Sequence, residues 1–210
     1  MDMSLPISTV TPSLDGLVLT VLARTTQPLT GRRVHQLASA GSETGIRRVL
    51  HRLAATGLVI ANQVGGSIQF SLNREHLAAR PVIELTGLRQ QLFDRIGLAI
   101  KGWAVPPLHA SVFGSTARAD GDLDSDVDLL LIHQLADLPS EWSDQVGELA
   151  EQIHAWTGNH LQTYALSTAD LARHFAAAEP IVNDWLSDSI AVYGPQFRHL
   201  RNEIVHGGPQ

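Results

Sequence analysis

The 210-residue chain is predicted to be a mixed α/β (α+β) protein of two domains, and three observations support this prediction. The first hundred residues show apolar positions at helical spacing, followed by a strand pair around Gly65-Gly66. The second half alternates short apolar runs with helical segments, which is typical of a small sheet flanked by helices. Residues 1–103 carry 11 Lys or Arg against 6 Asp or Glu, whereas residues 104–210 carry 4 against 15. Net charges of +5 and −11 predict two domains with different partners.

Composition narrows the class of protein further. Hydrophobic residues make up 44% of the chain, which is enough for a buried core. No apolar stretch reaches the length of a membrane span, and no basic region followed by an apolar run indicates a secretory signal. Cysteine is absent, so no disulfide framework is expected. We therefore expect a cytoplasmic protein with no membrane partner.

The N-terminal domain is expected to begin with two helices after a mobile lead-in over residues 1–12. The first helix is predicted from about Ser13 to Arg24, where apolar residues recur at helical spacing. The second is short and follows an N-cap at Thr30. Its apolar positions are Val34, Leu37 and Ala38.

The third predicted helix, from about Glu43 to Ala55, combines a regular apolar stripe with a basic face. Gly57 is a natural C-terminal stop. A strand then begins at Leu58, turns at Gly65-Gly66 and returns with alternating apolar residues. The exposed face of the helix carries Arg47, Arg48, His51 and Arg52.

Three helices followed by a hairpin, over residues 13–73, resemble a winged helix-turn-helix domain. The resemblance implies that the third helix enters the major groove of duplex DNA. The implied DNA-binding residues are Arg47, Arg48, His51 and Arg52. A solvated basic helix in a protein-interaction module is the alternative, because a fold alone does not fix a function.

One long helix is predicted after the hairpin, from Pro81 to about Ile100, with an apolar face at helical spacing. We interpret it as a connector over residues 81–103 that follows a domain of residues 1–80, and as a candidate homodimer surface. Pro106-Pro107 cannot continue a helix. A second domain is therefore expected over residues 104–210.

The most informative stretch runs from Leu108 to Leu131. A short strand over His109–Phe113 ends at Gly114-Ser115, where the backbone can approach a phosphate and a hydroxyl can donate to it. A second strand carries Asp126 and Asp128, and strand residues two apart share a face. Adjacent carboxylates repel each other. A divalent cation such as Mg²⁺ or Mn²⁺ neutralises them through oxygen ligands.

A short helix is expected to start at Ser115, with free N–H groups at its N-terminus and the guanidinium of Arg118 available to phosphate oxygens. Gly114-Ser115, ten residues, then Asp126-Val127-Asp128 resembles the pattern of the minimal branch of the polymerase-β-like nucleotidyltransferase superfamily. The resemblance implies an enzyme that transfers a nucleoside monophosphate from an NTP, with ATP the expected donor, to an acceptor hydroxyl.

The resemblance also implies residue roles, which are metal binding by Asp126 and Asp128 and triphosphate binding by Gly114, Ser115 and Arg118. The superfamily usually adds a third carboxylate on the strand after a long helix, and Gln162 occupies that register here. A glutamine oxygen can ligate a metal, but the side chain brings no charge and is a poor general base. Gln162 is therefore a candidate catalytic residue, but the missing carboxylate at its position weakens the prediction of activity.

The rest of the second half is predicted to complete a small sheet. Its elements are a helix over Pro139–Trp156, a strand over Leu161–Leu166, helices over Thr168–Phe175 and Glu179–Leu186, and a strand over Ile190–Tyr193. The tail Arg201–His206 resembles a short signature of a helical ribonuclease family, and we interpret it as a polar C-terminal helix.

Three functions remain open at this point. The first is the nucleotidyltransferase, with a protein, RNA or small-molecule acceptor. The second is a DNA-binding regulator whose nucleotidyltransferase-like domain senses nucleotide. The third is an antitoxin-like protein that neutralises a partner.

Overall fold

The computed structural model describes residues 1–206. The chain divides into two compact units, one of residues 5–89 and one of residues 1–4 together with the chain from Gln90 onward. The described residues form ten α-helices, one 3₁₀ helix and two small sheets, in agreement with the mixed α/β (α+β) class. None of the helices in this part of the chain is both long and apolar enough to cross a bilayer.

The first unit packs helices on a three-stranded antiparallel sheet with strand order β1-β3-β2. Its elements in chain order are a 3₁₀ helix (Pro6–Thr9), α1 (Leu14–Ala23), β1 (Leu29–Thr30), α2 (Gly31–Ala38), α3 (Glu43–Ala55), β2 (Val59–Val64), β3 (Ser67–Leu72) and α4 (Ala79–Thr86). Helices α1, α2 and α3 each begin after a hydroxyl side chain that accepts a backbone N–H of the first turn. These caps are Ser13, Thr30 and Ser42.

The apolar stripe of α3 forms the centre of the first core. Ile46 and Leu50 are completely buried and pack with residues of α1, α2 and β3. The predicted bounds of α3 are confirmed. Leu37 departs from the prediction, because it is 46% exposed while α2 buries Val34 and Ala38.

The prediction of a mobile lead-in over residues 1–12 is wrong. Pro6–Thr9 forms the 3₁₀ helix, and Ile7 is buried in the core of the first unit. Met3 is buried in a core of the second unit. Apolar side chains close to the chain start thus find buried positions that helical periodicity could not indicate.

The prediction of one connector helix from Pro81 is also wrong. The structure has two helices, α4 and α5 (Leu88–Lys101), interrupted at Gly87. Glycine has no side chain to stabilise a helix and costs conformational entropy, so it favours a break at this point. The two units divide between Arg89 and Gln90, in the first turn of α5, whereas the sequence predicts boundaries at residues 80 and 103.

The second unit contains a four-stranded sheet with order β6-β5-β4-β7. After α5, its elements are β4 (His109–Phe113), α6 (Gly114–Arg118), β5 (Val127–His133), α7 (Ser140–Thr157), β6 (Leu161–Ser167), α8 (Thr168–Ala176), α9 (Pro180–Asp188), β7 (Ile190–Tyr193) and α10 (Phe197–His206). Strand β5 is parallel to β6, and β4 is antiparallel to both β5 and β7. The predicted bounds of β4 and β7 are confirmed.

Strand β5 is buried on both faces of the sheet. Leu129 and Leu131 belong to the core that includes α5 and α7, whereas Leu130 and Ile132 belong to the core that includes α8, α9 and α10. A strand covered on both faces reads as a continuous apolar run. Asp128 interrupts this run near its start and is half-buried.

The predicted polar C-terminal helix corresponds to α10, but it is amphipathic. Phe197 and Leu200 are buried in the core with α8 and α9, whereas Arg201 is exposed. The His206 side chain of the Arg201–His206 motif lies outside the described residues.

Candidate functional site

The end of β4 meets the start of β5 where the sequence predicts a phosphate and metal site. Phe113, the last residue of β4, is the antiparallel partner of Asp128. Gly114 follows with a φ of +66°, a left-handed conformation that favours glycine. A Cβ atom at Gly114 would also clash with the carboxylate of Asp128. Glycine is therefore favoured at this position by its conformation, and it leaves space beside the Asp128 carboxylate.

The two predicted metal-binding carboxylates lie close enough to repel each other. Burial, and secondly the charge of Asp126, raise the pKa of Asp128 above its ordinary value, while the charge of Arg118 opposes them. Asp126 is exposed and lies one residue before β5, not within the strand as the sequence predicts. Ionised Asp128 therefore carries a free-energy cost that a bound cation would reduce.

Strand β6 brings Gln162 to the side of Asp128. The two strands are parallel, and Asp128 and Gln162 are direct partners in their register. Side chains in register on neighbouring strands point to the same face of a sheet. Gln162 is exposed, so its amide is accessible to a ligand. An uncharged oxygen donor thus lies beside the carboxylate pair.

The loop between α6 and β5 folds back towards Ser115. A Cβ atom at Gly121 would lie 3.0 Å from the hydroxyl oxygens of both Ser115 and Ser125. The Ser125 hydroxyl donates to the Asp122 carboxylate (2.8 Å) and accepts the Asp122 N–H (2.9 Å). The bond from the Ser125 hydroxyl, and secondly the bond from the Asp124 N–H, lower the pKa of the Asp122 carboxyl. The loop is therefore shaped by its own polar side chains, and it keeps Ser115 close to the residues that precede Asp126.

Asn159 connects the same loop to the turn between α7 and β6. Its side chain is buried, and its Nδ2 donates to the carbonyl oxygen of Ser125 at 2.8 Å. Its backbone N–H donates to Oγ1 of Thr157 at 3.0 Å. The sequence did not indicate this residue as part of the site. The available signal was a polar residue placed directly between the helix stop Gly158 and a predicted strand.

Arg118, predicted to bind the triphosphate, is engaged by two carboxylates. Its Nε donates to Asp120 at 2.9 Å and its Nη1 donates to Asp188 at 2.8 Å. These bonds, with Asp120 first, raise the pKa of Arg118, and the pKa of Asp188 is lowered by Ser187 first and then by Arg118. A triphosphate would have to compete with both acids for this guanidinium. Asp188 lies 70 residues away in sequence, so local patterns could not reveal the pair.

The donor set at the β4–β5 junction fits magnesium bound together with a nucleotide. The described residues contain no group of three or more His, Cys, Asp or Glu that could hold a metal ion. Asp126 and Asp128 supply two carboxylates, and Gln162 adds an amide oxygen in register with Asp128. Mg²⁺ is usually held by one or two carboxylates together with substrate phosphates, not by a complete protein cage.

The predicted DNA-binding face of α3 is partly neutralised by acidic neighbours. The guanidinium of Arg47 donates to the Glu43 carboxylate at 2.7 Å, one helical turn away. Arg52 forms an ion pair with Asp15 of α1. The Arg47–Glu43 pair is solvent-exposed and holds its arginine weakly, whereas Asp15 in the Arg52 pair is partly buried.

The other two residues of this face differ from each other. The His51 ring packs edge-on against Phe70, with 5.5 Å between the ring centroids. Arg48 is exposed and forms no ion pair with any residue that the structure describes. Arg48 is therefore the residue of the predicted set that offers its full charge to a phosphate.

Known proteins were compared with the whole chain. Neither a protein-family model nor a curated protein sequence matches it. The functional proposal therefore depends on the geometry of the two surfaces.

Proposed function

We propose that the second unit is a Mg²⁺-dependent nucleotidyltransferase of the minimal branch of the polymerase-β-like superfamily. It would move a nucleoside monophosphate from an NTP, with ATP the expected donor, to an acceptor hydroxyl. The observation that carries the proposal is the convergence of Gly114, Asp128 and Gln162 at one end of β5. The register partners of Asp128 are Phe113, the residue before Gly114, and Gln162, which supports the activity that the motif spacing predicts.

Each side chain has a role that follows from its position. Asp126 and Asp128 would hold the metal, and Mn²⁺ could replace Mg²⁺. Gly114 leaves room for close approach of the triphosphate, and the Ser115 hydroxyl would donate to one of its oxygens. Gln162 would orient the acceptor through its amide.

The reaction forms one bond and breaks one bond at the α-phosphorus. The acceptor oxygen bonds to the α-phosphorus, the bond from that phosphorus to the oxygen bridging to the β-phosphate breaks, and pyrophosphate leaves. The acceptor proton passes to water. Bound Mg²⁺ supplies charge neutralisation on the phosphate oxygens, and positioning with electrostatics accounts for most catalysis of this kind.

We further propose that the first unit is a winged helix-turn-helix domain that binds duplex DNA. Three helices followed by the β2–β3 hairpin support this, as does the pairing of β1 with β3. Arg48 would make the strongest phosphate contact, since Arg47, His51 and Arg52 have partners of their own. We propose that the protein is cytoplasmic and binds DNA as a homodimer, since such domains often bind symmetric sites as dimers.

A second candidate function is a DNA-binding regulator that senses nucleotide without turning it over. Two observations favour it, namely the uncharged Gln162 beside Asp128 and the engagement of Arg118 by Asp120 and Asp188. An antitoxin-like protein would share the same fold and differ in needing a protein partner.

The test is incubation of the full-length protein with α-labelled ATP, Mg²⁺ and host lysate, with pyrophosphate release measured in parallel. The Asp128→Asn variant serves as the inactive control. Labelled acceptor and pyrophosphate from the wild type alone support the transferase. Mg²⁺-dependent ATP binding without pyrophosphate release supports the sensor, and absence of ATP binding contradicts both.

A further inference from the structure

We infer that Asn159 is a positioning residue of the proposed nucleotidyltransferase site, and this inference rests on the proposed function. It would hold together the two chain segments that carry the site. One segment is the loop that leads into Asp126, and the other is the turn that leads into β6 and Gln162.

The contacts of Asn159 join these two segments directly. Asn159 is 4% exposed. Its Nδ2 donates to the Ser125 carbonyl at 2.8 Å and, over a longer 3.5 Å, to the Leu123 carbonyl. Its Oδ1 accepts from the Met1 amino group at 2.7 Å, so both ends of the amide have partners. A buried amide with all these partners is expensive to disturb, because any group left unpaired keeps its desolvation cost.

The bond to Ser125 acts on the metal site through the backbone. The Ser125 carbonyl belongs to the peptide unit that joins Ser125 to Asp126, so the Asn159 amide fixes the orientation of that unit. On the other side of Asp126, the Val127 N–H donates to the His160 carbonyl of the same turn at 2.8 Å. Asp126 is thus held between two hydrogen bonds that both reach the turn before β6.

The same turn sets where Gln162 stands. The pairing of β5 with β6 begins at Val127 and Leu161, and the next pair is Asp128 with Gln162. Asn159 lies two residues before that first pair. A shift of this turn would therefore move Asp126 and Gln162 relative to Asp128 without touching any of the three side chains.

An amide is the group that this position requires. The carbonyl oxygens of Ser125 and Leu123 need a donor, which an aspartate side chain cannot supply when it is ionised. Outer partners that orient metal ligands commonly change metal affinity or activity by about 10- to 100-fold when removed. The effect on metal affinity is what separates positioning from a purely structural role.

The test uses the full-length protein with ATP and Mn²⁺, with free Mn²⁺ measured by electron paramagnetic resonance. We expect Asn159→Asp to weaken Mn²⁺ binding by about 30-fold and Asn159→Ala by about 10-fold. Asn183→Asp, an exposed change of equal charge on α9, is the matched control and should bind like the wild type. Circular dichroism melts define a temperature at which every variant is fully folded, and the affinities are compared there.

The outcomes separate this inference from the proposed function. If the wild type does not bind Mn²⁺ with ATP, the proposed function fails. If the wild type binds and folded Asn159→Ala binds equally well, the positioning role is overturned while the proposed function stands. If Asn159→Asp does not fold, Asn159→Ala alone decides, because it adds no charge.

Discussion

The basic face of α3 and the acidic junction of β4 and β5 differ in whether their charged side chains have partners of opposite charge. On α3, Arg47 and Arg52 each have a carboxylate partner, so much of the charge is offset within the protein. At the junction, burial and secondly the charge of Asp126 raise the pKa of Asp128, and the cation that opposes them, Arg118, is shared with two other acids. Like charges kept together without a dedicated partner therefore indicate a ligand site more strongly than a high count of one charge does.

The largest effect should come from removing both junction carboxylates. In Asp126→Asn/Asp128→Asn, we expect the Mg²⁺-dependent affinity for ATP to fall by at least about 100-fold, since both proposed metal ligands are lost. Isothermal titration calorimetry measures the affinity. The exposed pair Asp137→Asn/Asp144→Asn makes the same charge change and should have no effect. An unchanged ATP affinity in the first variant would show that the repulsion has no role in ligand binding.

Adding a third carboxylate to the junction should increase the rate of pyrophosphate release. Gln162→Asp is expected to raise pyrophosphate release by about 10-fold, because a carboxylate beside Asp128 strengthens metal binding and can accept a proton. The assay uses saturating ATP and Mg²⁺, and Gln152→Asp on the exposed face of α7 is the control. If the wild type turns over faster than Gln162→Asp, the glutamine is an adapted residue and the implied third-acid position is wrong.

On the basic face, unpaired Arg48 should matter more than its paired neighbours. We expect Arg48→Ala to weaken duplex DNA binding about 5-fold at 0.1 M salt and to reduce the salt slope by about one. Arg52→Ala should have a smaller effect, and Arg80→Ala on α4 controls for the charge change. Fluorescence anisotropy over a salt series measures both quantities. Equal losses for Arg48→Ala and Arg52→Ala would mean that the Asp15 pair does not withhold charge from DNA.

Removing the Asp188 carboxylate from Arg118 should have a modest effect on ATP affinity. We expect Asp188→Asn to tighten Mg²⁺-dependent ATP binding about 3-fold, since an ion pair that is partly open to solvent is worth on the order of 1 kcal/mol or less. Asp184→Asn on the exposed side of α9 is the control. Weaker ATP binding by Asp188→Asn would show that Asp188 orients Arg118 for the phosphate instead of competing with it.

The smallest effect is expected on stability. Because the folded pKa of Asp128 is raised, the folded state binds its proton more readily than the unfolded state does. Stability therefore falls as pH rises from the unfolded to the folded pKa, and the full cost is present above the folded pKa. Asp128→Asn should raise the Tm by about 2–4 °C at pH 7, as expected for a gain of about 1 kcal/mol.

The pH dependence checks this explanation. At pH 3, below the ordinary Asp pKa of about 3.9, the carboxyl is mostly protonated in both states and most of the gain should disappear. Calorimetric melts at pH 3 and pH 7 without divalent cation make the comparison. A gain of equal size at both pH values would point to packing and not to charge.

Local sequence patterns determined several helices and strands of this protein. Periodicity and stop residues predict α3 over Glu43–Ala55, and apolar runs predict β4 over His109–Phe113 and β7 over Ile190–Tyr193. The order Gly114-Ser115, ten residues, then Asp126 and Asp128 predicts the position of the candidate site. These features are readable because the residues that decide them lie within a few turns or one strand pair of each other.

Tertiary structure decided which distant residues position the candidate site and which charges lie beside it. Arg118 bonds to Asp188 across 70 residues, and Asn159 bonds to Ser125 across 34. The parallel register that sets Gln162 beside Asp128 likewise joins strands separated by α7. Such partners depend on how separate helices and strands pack against each other. Helical and strand periodicity do not contain that information, because a period shows which face of its element a side chain lies on and not which distant residue it contacts.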